Sequence, residues 1–181
     1  GAPPVPPKVP NFEPSHIPFR AGRHNLPTTT DRTDPMAIFS LFFTPELVQD
    51  LTGYSNEFAA FKKSKELVDP ALESGRRLEG KEVVKEEMYA YLGARLMMGC
   101  HPEAHLESYW NTDPAKGPVY KDLRNSLSLR RFQYIESIFY CSKPLPIGTP
   151  DSDDSRTPFD KVDDLSQLLQ AAYKKYYISG T

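Results

Sequence analysis

A chain of 181 residues with 39% hydrophobic and 25% charged content is long enough to bury the core of one domain. Its formal net charge of -2 excludes a global basic field that gathers nucleic acid, so any DNA contact must come from local patches. Two lone cysteines, Cys100 and Cys141, lack CxxC spacing; they fit a reducing compartment, cytosol or nucleus by default, better than a disulfide scaffold.

Residues 1–34 read as a disordered, proline-rich tail. Nine of the 18 prolines fall within the first 35 residues, and GAPPVPPKVP favours extended polyproline-like backbone. Pro4 to Pro7 and Pro7 to Pro10 match PxxP, the pattern of a ligand for a proline-binding module. A solvated linker is the preferred reading, because short matches of this kind are common in such tails. No charged-then-apolar leader opens the chain. The longest nearly uncharged apolar run, 90–100, is too short to span a bilayer, so no membrane partner is expected. The missing initiating Met and the end at Ser-Gly-Thr predict a piece of a larger protein.

Folding is expected from near Asp34. Ile38, Phe39, Leu41, Phe42 and Phe43 read as a short helix. Thr44-Pro45-Glu46 then supplies a hydroxyl cap, a proline at the first helical position and an acid at the positive end. Leu47, Leu51, Tyr54, Phe58 and Phe61 follow at spacings of four and three, one apolar stripe. Residues 62–81 read as charged and irregular, broken by Pro70, Gly75 and Gly80.

A second helix is predicted over residues 82–99, burying Val84, Met88, Tyr91, Leu92 and Leu96, with Pro102 stopping it. NTDPAKGP (111–118) reads as loop and 119–126 as a short helical piece. Ser128 is a plausible cap for a third helix to Phe139, with Leu129, Phe132, Ile135 and Phe139 inward. After a proline- and acid-rich loop, a last helix is predicted over 161–177, with Val162, Leu165, Leu168, Leu169, Ala172 and Tyr176 inward. No stretch alternates with period two. Residues 35–181 are therefore expected to be all-α: an irregular helical domain of four or five helices around one core.

Motifs for chemistry are scarce. Cys100, His101 and His105 in GCHPEAH bring three zinc-type ligands together, but Pro102 breaks the helix that would space them, and no metal site is predicted. Asp151, Asp153 and Asp154 open like a calcium loop, yet the sixth position is Arg156 rather than Gly and the twelfth Val162 rather than Glu. GxSxG and a phosphate-cradling Gly-rich loop are both absent, so neither a catalytic residue, a cofactor nor a small-molecule substrate is assigned. Tyr109 and Trp110 read as core anchors rather than a base-stacking pair.

Basic residues remain. Around Lys62 to Lys85 acids nearly balance bases, which reads as a solvated face. Residues 121–143 carry five bases against two acids, a local charge near +3. Lys121, Arg124, Arg130 and Arg131 are the candidate nucleic-acid contacts, able to neutralise phosphates without reading bases. For the three arginines, structural ion pairing is the equal alternative, and Arg131 can instead pack its stem beside Trp110 or Tyr109.

Four blocks carry a family resemblance: DPMAIFSLFFTPELVQDLTGYSNEFA, EEMYAYLGARLMMGCHPEAHLESYW, SLSLRRFQYIESIFYCSKP and PFDKVDDLSQLLQAAYKKYYISGT. In this order and spacing they resemble the region preceding the active site of piggyBac-type DNA transposases. SLSLRRF departs from that family's usual Met-Ser-X-X-Arg-Phe start. The resemblance implies a nuclear cut-and-paste transposase whose RNase H-like domain holds divalent metal, Mg2+, on three aspartates beyond Thr181. Two metals there would serve phosphoryl transfer. Residues 35–181 would form the helical dimerisation and DNA-binding part, itself not catalytic, with double-stranded transposon ends and a second copy as partners. The alternative is a domesticated, non-transposing relative kept as a helical protein-interaction module.

Overall fold

The computed structural model describes residues 23–68, 81–144, 157 and 159–178. Most of the predicted tail lies outside them, as do Pro70, Gly75 and Gly80 and the acidic group Asp151, Asp153 and Asp154.

The fold is all-α. Helices run in the order α1 (Pro35–Phe39), α2 (Pro45–Val68), α3 (Lys85–Cys100), α4 (Lys121–Ser126), α5 (Leu129–Ile138) and α6 (Asp160–Tyr176), with 3-10 turns at Leu106–Trp110 and Pro114–Lys116. Three of these elements start on a capping side chain followed by proline. Asp34 accepts from the Met36 N–H at 2.8 Å, Thr44 from Leu47 at 3.3 Å and Asp113 from Ala115 at 3.0 Å. In each, the capping oxygen satisfies an orphan donor, and proline occupies a position that needs none.

The core lies where α2 packs on α3 and α5. Val48, Leu51, Met88, Phe132, Ile135 and Ile138 are fully buried there. Phe39 and Phe43, their rings stacked at 4.8 Å, pack against it from α1 and the loop after it. Tyr91 sits between Phe132 and Phe139, with ring centroids 5.2 Å from each. Burial pushes its hydroxyl up to about 12, so it stays neutral and contributes packing.

Several expectations shift by a residue or two. In α2 the deepest residues are Val48, Leu51, Thr52 and Ser55, while Tyr54, Phe58 and Phe61 are only half-buried. Small hydroxyls line the contact because their polar atoms are used within it: Thr52 Oγ1 donates to the Val48 carbonyl at 2.7 Å, and Ser55 Oγ accepts from the Tyr140 N–H at 3.2 Å. The helix also continues to Val68, through residues expected to be irregular.

In α3, Val83 rather than Val84 is buried. Val84 is the N-cap and 45% exposed, and Leu96 is 53% exposed although it follows buried Leu92 by four residues. Helix α5 buries Ile138 in place of Phe139, which caps the helix half-buried.

Helix α6 departs furthest. Leu165, Leu169, Ala172 and Tyr176 are half-buried, none of its residues is fully so, and Val162 and Leu168 are exposed. It is held at the margin. Tyr176 meets the Phe42 ring edge-on at 6.0 Å, and Lys161 lies over Tyr140. A groove of about 480 Å3, lined by Phe42, Phe43, Leu169 and Tyr173 among others, separates it from the loop after α1.

An element no pattern announced closes this edge. Strand β1 (Arg23–His24) pairs antiparallel with β2 (Tyr177–Ile178), Arg23 opposite Ile178, and the Asn25 N–H donates to the Tyr176 carbonyl at 2.9 Å. Paired backbone is thus present at Arg23–His24, upstream of the Asp34 start expected from the sequence.

Candidate nucleic-acid interface

The candidate basic residues all fall on α4 and α5, joined by only Leu127 and Ser128. Leu123 within α4 and Leu127 at its C-cap are buried, and the Leu127 N–H closes the helix on the Leu123 carbonyl at 2.9 Å. Ser128 starts α5 as expected: its Oγ accepts from the Arg131 N–H at 3.2 Å. Trp110 holds the connection from below, Nε1 donating to the Leu127 carbonyl at 2.8 Å with its ring 5.2 Å from Phe132.

Tyr109 works at the other end of the same 3-10 turn. Its buried hydroxyl donates to the His101 carbonyl at 2.7 Å and accepts from the Glu103 N–H at 2.9 Å, satisfying backbone left open where α3 ends. Both aromatics are core anchors, as their position between apolar helices predicts.

On this frame the four bases part company. Lys121 and Arg124, three apart, lie near one face of α4, and Arg130 lies on the side of α5 away from Phe132. Lys121 and Arg130 are exposed and Arg124 half-buried. Among the described residues none of these three side chains has a hydrogen-bond or ion-pair partner.

Arg131 takes the structural role that was its alternative. Nε and Nη2 grip Glu87 Oε1 and Oε2 at 2.9 and 2.7 Å, while Nη1 and Nη2 donate to the Lys81 and Glu82 carbonyls at 2.8 and 3.0 Å. The guanidinium lies over Tyr134, 5.0 Å from the centroid, rather than along Trp110 or Tyr109. A two-pronged fork of this kind is among the stronger charged contacts a protein makes. It spends Arg131's charge inside the fold.

Glu87 is a residue the sequence reading overlooked. Besides gripping Arg131, it accepts from the Val84 N–H at 3.2 Å, half of a capping box at the start of α3. The Arg131 guanidinium, foremost, holds its carboxyl below the ordinary glutamate range. Asn56 is a second overlooked residue. Its side-chain amide exchanges two 2.9 Å hydrogen bonds with the Val83 backbone, as a neighbouring strand would. Residues 81–84 are thereby stapled to α2 and α5 at once. The one available signal was Glu three residues after Val84, an N-terminal helix pattern without its usual Ser or Thr.

Lys62 also changes meaning. Assigned to a solvated face, it donates Nζ to the Ser137 carbonyl at 2.6 Å, near the C-terminus of α5 where carbonyls lack partners. Of the zinc-type group, Cys100 is exposed at the last position of α3, His101 caps that helix and His105 precedes the 3-10 turn. Burial pushes the Cys141 thiol up, away from nucleophile chemistry. Among the described residues no three His, Cys, Asp or Glu side chains gather to hold a metal, and no helix is long and apolar enough to cross a membrane.

A family model described as Transposase IS4 matches residues 34–181. No solved structure matches the chain. The match takes in all six helices of the described residues, the basic α4–α5 pair among them, and the chain belongs to the Transposase IS4 family.

Proposed function

We propose that residues 35–181 are the pre-catalytic helical region of a piggyBac-like transposase in this family. In the nucleus they contribute to binding double-stranded transposon ends and to assembling a homodimer for cut-and-paste transposition. The observation that carries this reading is the family match across every helix. The chain does not itself cut DNA. By the piggyBac resemblance, the Mg2+ that such chemistry uses is held by three catalytic aspartates, and no aspartate of this chain matches one of them.

What these residues do is hold the backbone of a duplex. Lys121, Arg124 and Arg130 keep their charges uncommitted, so they can displace counterions from phosphates, which positions DNA without reading its sequence. Arg131 and Glu87 support them, fixing where α5 starts.

Fluorescence anisotropy with a short duplex over a salt series tests the reading. Weak binding is expected, with a log–log salt slope of about -0.9 per phosphate contacted. Replacing Lys121, Arg124 and Arg130 by Ala should flatten that slope by about 2–3, one phosphate contact per residue removed. Binding that the triple replacement leaves unchanged removes these residues from the role. No duplex binding at low salt favours the domesticated interaction module, a reading to which the exposed apolar side chains of α6 also point.

A further inference from the structure

Helix α6 carries a self-complementary stripe. Asp164, Leu168, Ala171 and Lys175 follow one another at spacings of four, three and four, the seam spacing of paired helices. All four are exposed, Leu168 at 55%. Asp164 has no ion-pair partner among the described residues, and Lys175 rests only over the neighbouring Tyr176 ring, 5.1 Å from its centroid. The stripe reads acid, large apolar, small apolar, base.

Turned end for end, the same stripe fits itself. An antiparallel copy centred between Leu168 and Ala171 sets Asp164 against the copy's Lys175, Leu168 against its Ala171, and the reciprocal pairs beside them. Large meets small at the centre and opposite charges meet at both ends. A parallel copy instead opposes acid to acid and base to base. We propose that α6 pairs with α6 of a second copy of this chain, antiparallel about a two-fold axis. This rests on the homodimer of the proposed function and names its surface.

Acids early and bases late also suit the dipole of an isolated helix, and that explanation requires no partner. It leaves the exposed Leu168 between the two charges unexplained. It also predicts a different result when the charges are exchanged. Four residues a side make a small contact, so a weak, concentration-dependent dimer is expected.

Sedimentation equilibrium of the full chain from low to high micromolar concentration supplies the test. The wild type should show a monomer–dimer equilibrium. Asp164→Lys and Lys175→Asp should each abolish it, by placing two like-charged pairs in the interface. The two single variants mixed together should recover a dimer, and so should the double exchange Asp164→Lys/Lys175→Asp. A dipole effect alone makes the double exchange the worst of the series.

A wild type that stays monomeric throughout overturns the proposal. So does a dimer indifferent to the single exchanges, or singles that are not rescued on mixing. Helical content by circular dichroism separates a lost interface from a lost helix; if a single variant loses helix, Leu168→Gln takes its place and must still weaken the dimer. Salt-dependent duplex binding through Lys121, Arg124 and Arg130 is read separately, so failure here leaves that reading standing.

Discussion

The α2–α3–α5 core and the α6 margin both carry apolar stripes in sequence but end in different states. In the core, helix contacts are reinforced by ties between residues far apart in sequence: Asn56 to Val83, Glu87 to Arg131, Trp110 to Leu127. At the margin α6 touches the rest of the described residues with half-buried side chains and a two-residue strand pair, and Phe159, Leu168 and Tyr173 stay in solvent. Amphipathic spacing states which face of a helix needs covering. Whether it is covered depends on what the rest of the chain brings to it.

Phe132→Ala should give the largest contrast. Phe132 is fully buried between Tyr91 and Trp110, so truncation should cost about 3–5 kcal/mol and bring the thermal midpoint down sharply. At concentrations low enough to keep the chain monomeric, Leu168→Ala in α6 should lie within about 0.5 kcal/mol of wild type, as exposed positions do. Equal losses in denaturant titrations of the two variants would erase the distinction between core and margin.

Arg131→Ala comes next, because it strands Glu87 and two backbone carbonyls at a partly buried junction. A loss of about 1–3 kcal/mol is expected, with Arg131→Lys recovering only part since it cannot fork. The same pair sets an acid limit. Glu87 titrates lower folded than unfolded, so its contribution is present above the ordinary glutamate range and is lost as pH falls through the lowered folded value. Glu87→Gln should shrink the fall in stability on acidification, read as the thermal midpoint against pH. An unchanged acid limb would mean that other carboxylates govern it.

Helix starts and the helical class were legible because they rest on local chemistry. Thr44-Pro45 and Ser128 cap by atoms within three residues, and no neighbour is needed to predict it. Facing was less legible. Scales that rank Ser and Thr as polar miss Thr52 and Ser55, whose hydroxyls find partners inside the contact. Val83 and Val84 are indistinguishable until Asn56 selects the first. Within the candidate interface the pattern marked four bases without separating them. Arg130 and Arg131 are adjacent, yet one turn angle apart on α5 puts one in solvent and the other on a carboxylate 44 residues away.

The smallest coupling expected is at the Arg95–Glu136 pair, which bridges α3 and α5 at 3.0 Å on the exposed rim of the same core. On distance alone it rivals Arg131–Glu87. Its side chains are 54% and 40% exposed, however, against 18% and 30% for the inner pair, so water competes for both charges. A double-mutant cycle with Arg95→Ala and Glu136→Ala should therefore give a coupling of about 0.2–1 kcal/mol, fading as salt is added. The corresponding cycle at Arg131 and Glu87 should give a larger coupling that salt reduces less, since fewer ions reach it. If the two couplings match in size and salt response, burial does not separate these pairs, and the structural role assigned to Arg131 would reduce to an ordinary surface contact.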